Sequence, residues 1–192
     1  GASFSTLPRD LVAQAVEARG AALITNLTDS QRDAVNAILR HHISEVPFSQ
    51  RQLAEVIKPT LGIHPRDASR LVSLRNAMVA DGDSPEVIGK ALLKLTGQIQ
   101  KKRAEMIATT ELASAYNTGT QLAIERAVSE GAFSGDVAKE WRTQKDEATC
   151  LICSPLDKTR TTLNGSFISG SFSGPLPPAH PRCRCVILYR QD

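Results

Sequence analysis

Two short stretches near the carboxyl end decide how this chain folds: Cys150-Leu-Ile-Cys153 and His180-Pro-Arg-Cys183-Arg-Cys185. They contain all four cysteines of the chain and one of its four histidines. Two residues between thiolates let a tight turn aim both sulfur atoms at one ion about 2.3 Å away, and His180 precedes Cys183 at the same spacing. Because thiolate-rich tetrahedral sites favour Zn²⁺, the sequence predicts a structural zinc ion.

The number of donors leaves the ligand set open. Five candidates are one more than a tetrahedral site takes. We expect Cys150 and Cys153 to bind together with two of the other three, and the spacing does not choose among His180, Cys183 and Cys185.

Three other interpretations of the cysteines are weaker. The cysteines of each pair are too close for comfortable internal disulfides, and no secretion signal accompanies them. Inert thiols do not explain two clustered pairs beside a histidine. A catalytic zinc usually keeps an open position near a carboxylate base, and the His-x-Glu of zinc nucleobase deaminases is absent.

The carboxyl-terminal segment 136–192, here called the knob, carries strand-like patterns. Residues 137–144 and 185–189 are predicted strands, and 159–163 is β-branched. Residues 166–174 are rich in Gly and Ser and are expected to form a flexible loop. The knob has too few apolar side chains to form a stable hydrophobic core by itself. We therefore expect a bound metal ion to hold it together.

The chain from Leu7 to about Gly131 reads almost entirely as helix, because apolar residues recur at intervals of three and four. The predicted fold class is therefore mainly α, with a small C-terminal α+β subdomain stapled by zinc. Capping residues and prolines mark the predicted helix starts, which are Pro8, Thr28, Ser49, Pro65 and Ser84.

The last helical pattern is the longest. It continues from Ser84 to Ala127, and an unbroken helix of this length would exceed about 60 Å. Gly89, Gly97 and Gly119 weaken it, so we expect two helices or one helix with a bend. The predicted organisation has three parts: an N-terminal helical region at 1–82, a long helical segment at 83–135 and the knob at 136–192.

Composition excludes several classes of protein. Hydrophobic residues make up 41% of the 192 residues and charged residues 22%, which is typical of a folded globular chain. No apolar stretch approaches the roughly 20 residues of a membrane span, so we expect no membrane partner. The net charge of +3 is too small to indicate nucleic-acid binding. Lys101-Lys102-Arg103 is the one basic run, and it fits a solvated helix face or a contact with phosphate or an acidic partner.

Catalytic motifs are scarce. The chain has no phosphate-binding loop, no Gly-x-Ser-x-Gly elbow and no His-Glu-x-x-His helix. His41, His42 and His64 fit helix faces or caps. A nucleophile made of Cys153 and His180 stays open, but a thiolate bound to a metal is not a free nucleophile. We therefore expect no enzymatic activity.

Three motifs follow one another in the second half of the chain. They are Ile107-Ala-Thr-Thr-Glu-Leu-Ala-Ser-Ala-Tyr-Asn-Thr-Gly119, Trp141-x4-Asp146-x2-Thr149-Cys150-x2-Cys153-x2-Leu156-Asp157 and Pro177-Pro-Ala-His-Pro-Arg-Cys-Arg-Cys185. Together they resemble the Mu F-like phage head morphogenesis family. The first motif is similar to a helix of that family, with Thr109 where the family usually has Arg. The resemblance covers about residues 85–192, and residues 1–82 show none.

The resemblance implies a structural minor head protein of a tailed double-stranded DNA phage or prophage. Such a protein would be a virion component near the portal and the capsid interior, and would lie in the host cytoplasm during assembly. Its implied partners are the portal and other head proteins, with packaged DNA and an oligomer in the virion as further expectations. Two alternatives stay open: a zinc-knuckle nucleic-acid-binding module, and a metal-dependent hydrolase or toxin domain.

The matched residues have expected physical roles. Trp141 is expected to be the main apolar anchor of the knob. Asp146 is expected to accept backbone N–H bonds in the turn that enters Cys150. Glu111 and Tyr116 are candidates for hydrogen bonds between the long helix and the knob, and Glu111 alternatively is a plain surface residue. Positive charge on Arg182 and Arg184 would offset a thiolate-rich centre.

Overall fold

The fold consists of a helical body followed by a small β region. The computed structural model describes residues 9–19, 27–44, 49–133, 135–144, 146–147 and 149–191. Its helices are α1 (Arg9–Arg19), α2 (Asp29–Ser44), α3 (Gln50–Ile57), α4 (Pro65–Ala80) and α5 (Pro85–Ser129). Its strands are β1 (Val137–Arg142), β2 (Arg160–Thr162), β3 (Phe167–Ser169), β4 (Phe172–Gly174) and β5 (Val186–Gln191).

This architecture confirms the predicted fold class, mainly α with a small C-terminal α+β part. Within the described ranges, no helix has both the length and the apolar character needed to cross a bilayer. The division of the chain at 82/83 and at 135/136 stays a prediction. Pro8, predicted in a first helical turn, lies outside the described residues.

Side-chain caps begin the helices where the sequence predicts them. Ser49 Oγ accepts the Gln52 N–H of α3, and Gln52 Oε1 accepts the Ser49 N–H at 2.7 Å, which completes a capping box. His64 Nδ1 accepts the Arg66 N–H at 3.1 Å and so caps α4, as expected for a histidine outside the cysteine region. The predicted helix starts near Thr28, Ser49, Pro65 and Ser84 are confirmed.

Of the two expectations for the long helix, that of two separate helices is wrong. Residues Pro85–Ser129 form one continuous helix of 45 residues, despite Gly89, Gly97 and Gly119. Helices α1 and α3 both pack along α5, and tertiary packing of this kind outweighs weak local propensity. The hydroxyls of Thr109 and Thr110 donate back to carbonyls one turn earlier, so neither group disturbs the helix.

One hydrophobic core lies where α1, α2, α3 and α5 meet. Leu53 and Ile57 of α3 are fully buried there, next to Ile107 and Ala108 of α5. Helix α4 contributes no buried side chain to this core and packs chiefly against α5. Helices α4 and α5 therefore form a hairpin that extends away from the helical core.

The knob has two small antiparallel sheets. The first has the strand order β2-β1-β5, and Trp141 of β1 pairs with Ile187 of β5. The strands predicted at 137–144 and 185–189 are confirmed, although β1 ends at Arg142 and β5 runs from Val186 to Gln191. The second sheet is the hairpin of β3 and β4, with Gly170 at a φ of +56° in its turn.

The hairpin corrects the expectation of a flexible loop at residues 166–174. Phe167 and Phe172 each pack an edge against Trp141, with ring centroids 5.2 and 5.6 Å from it. Edge-to-face aromatic contacts of this kind add to the area that the rings bury. The two phenylalanines therefore order a segment whose Gly and Ser content alone favours a loop.

Candidate metal centre

Cys150 and Cys153 are presented by a tight turn. The Ser154 N–H donates to the Cys150 carbonyl at 2.9 Å, and the Cys153 N–H points to the Cys150 sulfur at 3.4 Å. A single 3-10 turn, Ser154–Leu156, follows directly and buries Leu156. The turn brings both sulfurs to the same side, as the Cys-x-x-Cys spacing predicts.

His180 and Cys183 come from a second turn. The Cys183 N–H donates to the His180 carbonyl at 3.1 Å, and Arg182 between them has a φ of +63°. His180 Nδ1 lies 2.8 Å from the Pro181 carbonyl oxygen. Because a carbonyl only accepts, this contact assigns the proton to Nδ1 and leaves Nε2 as the lone-pair donor to a metal.

The five donors converge in the core of the knob. His180 Nε2 lies 3.0 Å from the Cys150 sulfur and 3.3 Å from the Cys153 sulfur, and the Cys153 and Cys183 sulfurs are 3.7 Å apart. A zinc tetrahedron has sulfur–sulfur edges of about 3.8 Å and sulfur–nitrogen edges of about 3.6 Å, so the arrangement needs only slight expansion. Two triads could hold a metal ion, Cys150–Cys153–His180 and Cys153–Cys183–Cys185, and Cys153 belongs to both.

The thiols influence one another strongly. A hydrogen bond from Cys185 lowers the pKa of Cys183 to about 5. Burial and the neighbouring Cys183 raise the pKa of Cys153 to about 12, and donation to Cys183 followed by burial raises that of Cys185. The cluster therefore favours ionisation of Cys183 over that of Cys153 and Cys185, and a bound cation would favour the thiolate form of its ligands. All four cysteines are free thiols, and the 3.7 Å between Cys153 and Cys183 is far beyond a disulfide bond.

Trp141 closes the centre from the side of the sheet. Its side chain is fully buried in the cluster that includes Cys153, Cys183, Cys185 and Ile187. This burial agrees with the anchor role expected of Trp141, which stays a prediction. Three of the donors, Cys153, Cys183 and Cys185, are therefore buried and Cys150 and His180 are half-buried, so a cation here would hold two distant chain segments together at the edge of the packed interior.

Buried polar side chains of α5 fasten the knob to the helical body. Thr110 Oγ accepts the Arg182 N–H at 2.9 Å, and Gln121 Nε2 donates to the Leu163 carbonyl at 3.0 Å. Asn117 bonds the backbone at Cys185, just before β5, and at Ile187 within it. Sequence reasoning did not single out these three residues, although their spacing along α5 marks a polar stripe on a buried helix face.

The family comparison covers this whole arrangement. Residues 72–188 match the family model described as Phage Mu protein F like protein. The chain belongs to this family. The Mu F-like region begins within α4 and includes all of α5 and the five donors, so the predicted membership is confirmed and extends further towards the amino end than the motifs indicated. No curated protein and no solved structure matches the chain.

Other predicted residues of the Mu F-like region lie around the centre. The Asp146 carboxylate binds Arg184 at 2.7 Å, and the Asp146 carbonyl accepts the Thr149 N–H in the turn before Cys150. Acceptance of backbone N–H bonds by the Asp146 carboxylate stays a prediction. Glu111 is buried and Tyr116 half-buried on α5, and their hydrogen bonds to the knob stay a prediction.

The basic run of the Mu F-like region lies on α5. Lys101 and Lys102 are exposed, and Arg103 is half-buried. The Lys102 carbonyl accepts a hydrogen bond from the Arg182 guanidinium at 3.2 Å, which links the run to the knob. Its role as a solvated face or as a contact with a partner stays open.

Two charged residues of β1 are buried and were missed by sequence reasoning. Lys139 Nζ donates to the carbonyls of Gly165 and Pro175 at 2.9 and 3.1 Å, and burial lowers its pKa. It thereby ties β1 to both ends of the hairpin segment. A lysine in an alternating strand usually indicates the solvated face, so the pattern hides this role.

Glu140 lies on the opposite face of the same strand. Arg142, Arg160 and Arg190 approach its carboxylate at 3.2, 3.0 and 3.4 Å. The hydrogen bond from Arg160 holds the pKa of Glu140 below its ordinary value. These ion pairs join all three strands of the sheet.

Proposed function

We propose that this chain is a structural component of a phage head, in which a zinc ion fixes the knob. Membership in the Mu F-like family supports the phage head role. The observation that carries the metal proposal is the convergence of five sulfur and nitrogen donors in two overlapping triads, in which Cys153, Cys183 and Cys185 are buried and Cys150 and His180 are half-buried. A bound zinc ion would supply a cross-link between two chain segments, and no chemistry on a substrate is proposed.

We propose Cys150, Cys153, His180 and Cys183 as the ligands. The distances from His180 to Cys150 and Cys153, and from Cys153 to Cys183, are those that lie near the edges of a zinc tetrahedron. Cys185 then remains outside the ligand set and donates to the Cys183 sulfur. Hydrogen bonds to ligating atoms of this kind orient a metal site.

The donor set favours a structural site over a catalytic one. Four ligands from the protein would close the coordination shell, whereas a catalytic zinc keeps a position for water or substrate. The Asp146 carboxylate of the sequence motif is engaged by Arg184 at 2.7 Å. This supports the expectation of a protein without enzymatic activity.

Metal analysis tests this proposal directly. We expect about one zinc ion per chain in freshly purified, reduced protein. Chelation should shift the fluorescence of Trp141, the only tryptophan, towards that of an exposed indole, while most helical circular dichroism remains. A chain without bound transition metal would overturn the zinc proposal, and simultaneous loss of all helix would contradict a metal role confined to the knob.

The finer placement in the virion is part of the proposal. We propose a minor component near the portal on the interior side of the capsid, which contacts the portal and other head proteins. The long helix α5, about 67 Å from end to end, suits a connector between partners better than a compact enzyme. A density map of intact heads would test this placement, and density only on the outer capsid surface would contradict it.

Contact with packaged DNA is a second candidate function, favoured by one surface. A cavity of about 780 Å³ between α3, α5 and the knob is lined by Arg51, Arg182 and Arg184, against one acidic residue, Glu105. Arg182 also borders a neighbouring cavity of about 370 Å³ that Lys102 and Arg103 line. Clustered guanidinium and ammonium groups of this kind match the charge of a phosphodiester backbone.

Salt-dependent binding tests the DNA candidate. Neutralising Lys102 and Arg103 should weaken duplex DNA binding and lower the slope of log affinity against log salt by about 0.9 for each phosphate that the variant no longer neutralises. Lys101 is exposed but lines neither cavity, so Lys101→Gln is a matched control. Equal reductions of affinity in both variants, or no salt dependence, would contradict a DNA role for this surface.

A further inference from the structure

The tip of the α4–α5 hairpin is a short acidic turn. Residues 81–86, with the sequence Asp-Gly-Asp-Ser-Pro-Glu, are all exposed and carry three carboxylates but no basic side chain. No other six consecutive residues of the sequence contain three acidic side chains. Glu86 binds Lys90 at 2.6 Å, whereas within the described part of the chain no ion pair engages Asp81 or Asp83. The tip therefore presents two carboxylates that are available to a partner.

Backbone hydrogen bonds fix the conformation of this turn. The Asp83 N–H donates to the Met78 carbonyl at 3.0 Å, and Gly82 has a φ of +79°. The Gly82 N–H donates to the Val79 carbonyl at 3.2 Å, which completes the Schellman motif that ends α4. Ser84 then caps α5 through its side chain. Because the turn is ordered before a partner binds, it loses little conformational freedom on binding.

A basic cavity lies near the base of the same hairpin. Its volume is about 370 Å³, and α4, α5 and the knob each contribute to its lining. Asp67 is the single acidic residue among its described lining residues, and it already binds Arg70 at 3.0 Å. The basic lining residues are Arg66, Arg70, Lys102, Arg103 and Arg182. Five positive charges against one negative charge make this cavity a site for an acidic partner.

The tip and the cavity of one copy cannot meet. Pro85 begins α5 at the tip, and Lys102 lies beside the cavity 17 positions later, about 26 Å away along the helix axis. Helix α5 is continuous over this stretch, so the distance between the two is fixed. We propose that the acidic tip of one copy inserts into the basic cavity of a second copy, head to tail. The inference goes beyond the proposed function, because neither the phage head role nor the metal centre specifies a contact between copies.

Charge complementarity selects a second copy as the occupant. The whole chain carries only +3, yet the hairpin has the most acidic turn of the sequence at one end and borders the basic cavity at the other. Lys90 and Lys94 lie about 8 and 14 Å behind Pro85 along α5, so neither enters the cavity with the turn. Lys90 is moreover engaged by Glu86. The charges that meet in the proposed contact are therefore of opposite sign.

A head-to-tail contact leaves one tip and one cavity free at the ends of every open assembly. Each copy can therefore bind two others, and the contact generates a closed ring or an open filament rather than a symmetric dimer. Only a turn is buried in a cavity of this size, so we expect weak association that salt lowers further. The DNA candidate uses the same cavity, so duplex DNA should compete with the tip for it.

Sedimentation of the full, metal-bound chain at low salt tests the self-association. Asp81→Asn combined with Asp83→Asn, here called the tip variant, should weaken it by about tenfold, because each contact loses two carboxylates. Asp33→Asn combined with Glu55→Gln is the matched control, since it removes the same charge from exposed positions on α2 and α3. A chain that stays monomeric at every concentration would overturn the proposal, as would equal weakening by both double variants.

Mixing two variants tests the head-to-tail arrangement. The tip variant keeps an intact cavity, and Arg66→Gln combined with Lys102→Gln gives a cavity variant with an intact tip. Neither should associate alone at concentrations where the original protein does, whereas an equimolar mixture should form one-to-one pairs and nothing larger. Circular dichroism of each variant verifies that the helices persist. A mixture that stays monomeric, or that forms larger assemblies, would overturn the proposal.

Duplex DNA distinguishes the two occupants of the cavity. We expect DNA of random sequence to dissociate the assemblies, and the tip variant to bind DNA as the original protein does, because its cavity is intact. DNA binding that the cavity variant loses, together with assemblies that DNA leaves intact, would overturn the insertion of the tip into this cavity. Absence of DNA binding by every form would contradict the DNA candidate alone, and the mixing experiment would then decide the contact between copies.

Discussion

The side chain of Asn117, on the long helix, hydrogen-bonds the backbone of Ile187 in the last strand in the way that a neighbouring strand would. Its Oδ1 accepts the Ile187 N–H at 3.1 Å, and its Nδ2 donates to the Cys185 carbonyl at 3.3 Å. Both bonds are buried, and β5 is an edge strand of its sheet. One amide side chain therefore satisfies two backbone groups that the sheet leaves unpaired.

The first prediction follows from this pair. Asn117→Ala should lower the free energy of unfolding by about 2–4 kcal/mol, because two buried backbone groups lose their partners. Urea unfolding of the metal-bound chain measures the change. Asn76→Ala is the matched control, since Asn76 is exposed on α4 and should change stability little. Equal effects of the two substitutions would contradict the role given to Asn117.

The second prediction concerns Trp141. Trp141→Ala should cost about 3–5 kcal/mol, because it removes a fully buried ring and leaves a cavity beside Phe167 and Phe172. Trp141→Phe should cost less, since it keeps an aromatic ring in the same space. Thermal unfolding of each variant provides the measurement, and a neutral Trp141→Ala would show that the knob does not depend on this anchor.

The third prediction separates the five donors. Cys153→Ser should abolish metal binding, because Cys153 belongs to both possible triads. Cys150→Ser should weaken binding strongly, whereas Cys185→Ser, the matched control, should retain the ion. Elemental analysis after dialysis against a weak chelator gives the metal content of each variant. Retention by Cys150→Ser together with loss by Cys185→Ser would replace the proposed ligand set by one that includes Cys185.

The fourth prediction concerns acid stability. The folded pKa of Glu140 is lowered, so its contribution to stability is fully present above the ordinary carboxyl value of 4.5 and is lost as the pH falls below it. Glu140→Gln should therefore flatten the fall in stability over this range. Comparison of the variant with the original protein at each pH cancels the separate effect of metal release. Identical pH profiles would show that the three arginines do not depend on the Glu140 charge.

Local sequence signals predicted the parts of this fold that local chemistry determines. The caps at Ser49 and Ser84 and the Cys150–Cys153 turn depend on residues within a few positions, so their structures could be inferred directly. The membership in the Mu F-like family was also predictable, because its motifs are compact. Convergence of the two cysteine segments was inferred from donor chemistry, and the distances are compatible with it.

Features that depend on distant packing were not predictable. The glycines of α5 favour a break, and only packing against α1 and α3 shows why the helix continues. The hairpin of residues 167–174 depends on Trp141, which lies far away in sequence. Asn117 and Lys139 have polar side chains whose burial becomes visible only when their backbone partners are known.

The continuous helix α5 fixes the distances between the parts of the molecule that it joins. The first part of α5 belongs to the hairpin, its middle packs in the helical core, and its last part contacts the knob. The number of residues between these parts therefore sets the distances between them. Inserting a single residue in its middle would displace the outer half by about 1.5 Å and turn it by about 100° relative to the knob. A change in the length of α5 would therefore alter the contacts at one end relative to those at the other. Insertions and deletions are tolerable only in the turns that connect the helices and strands.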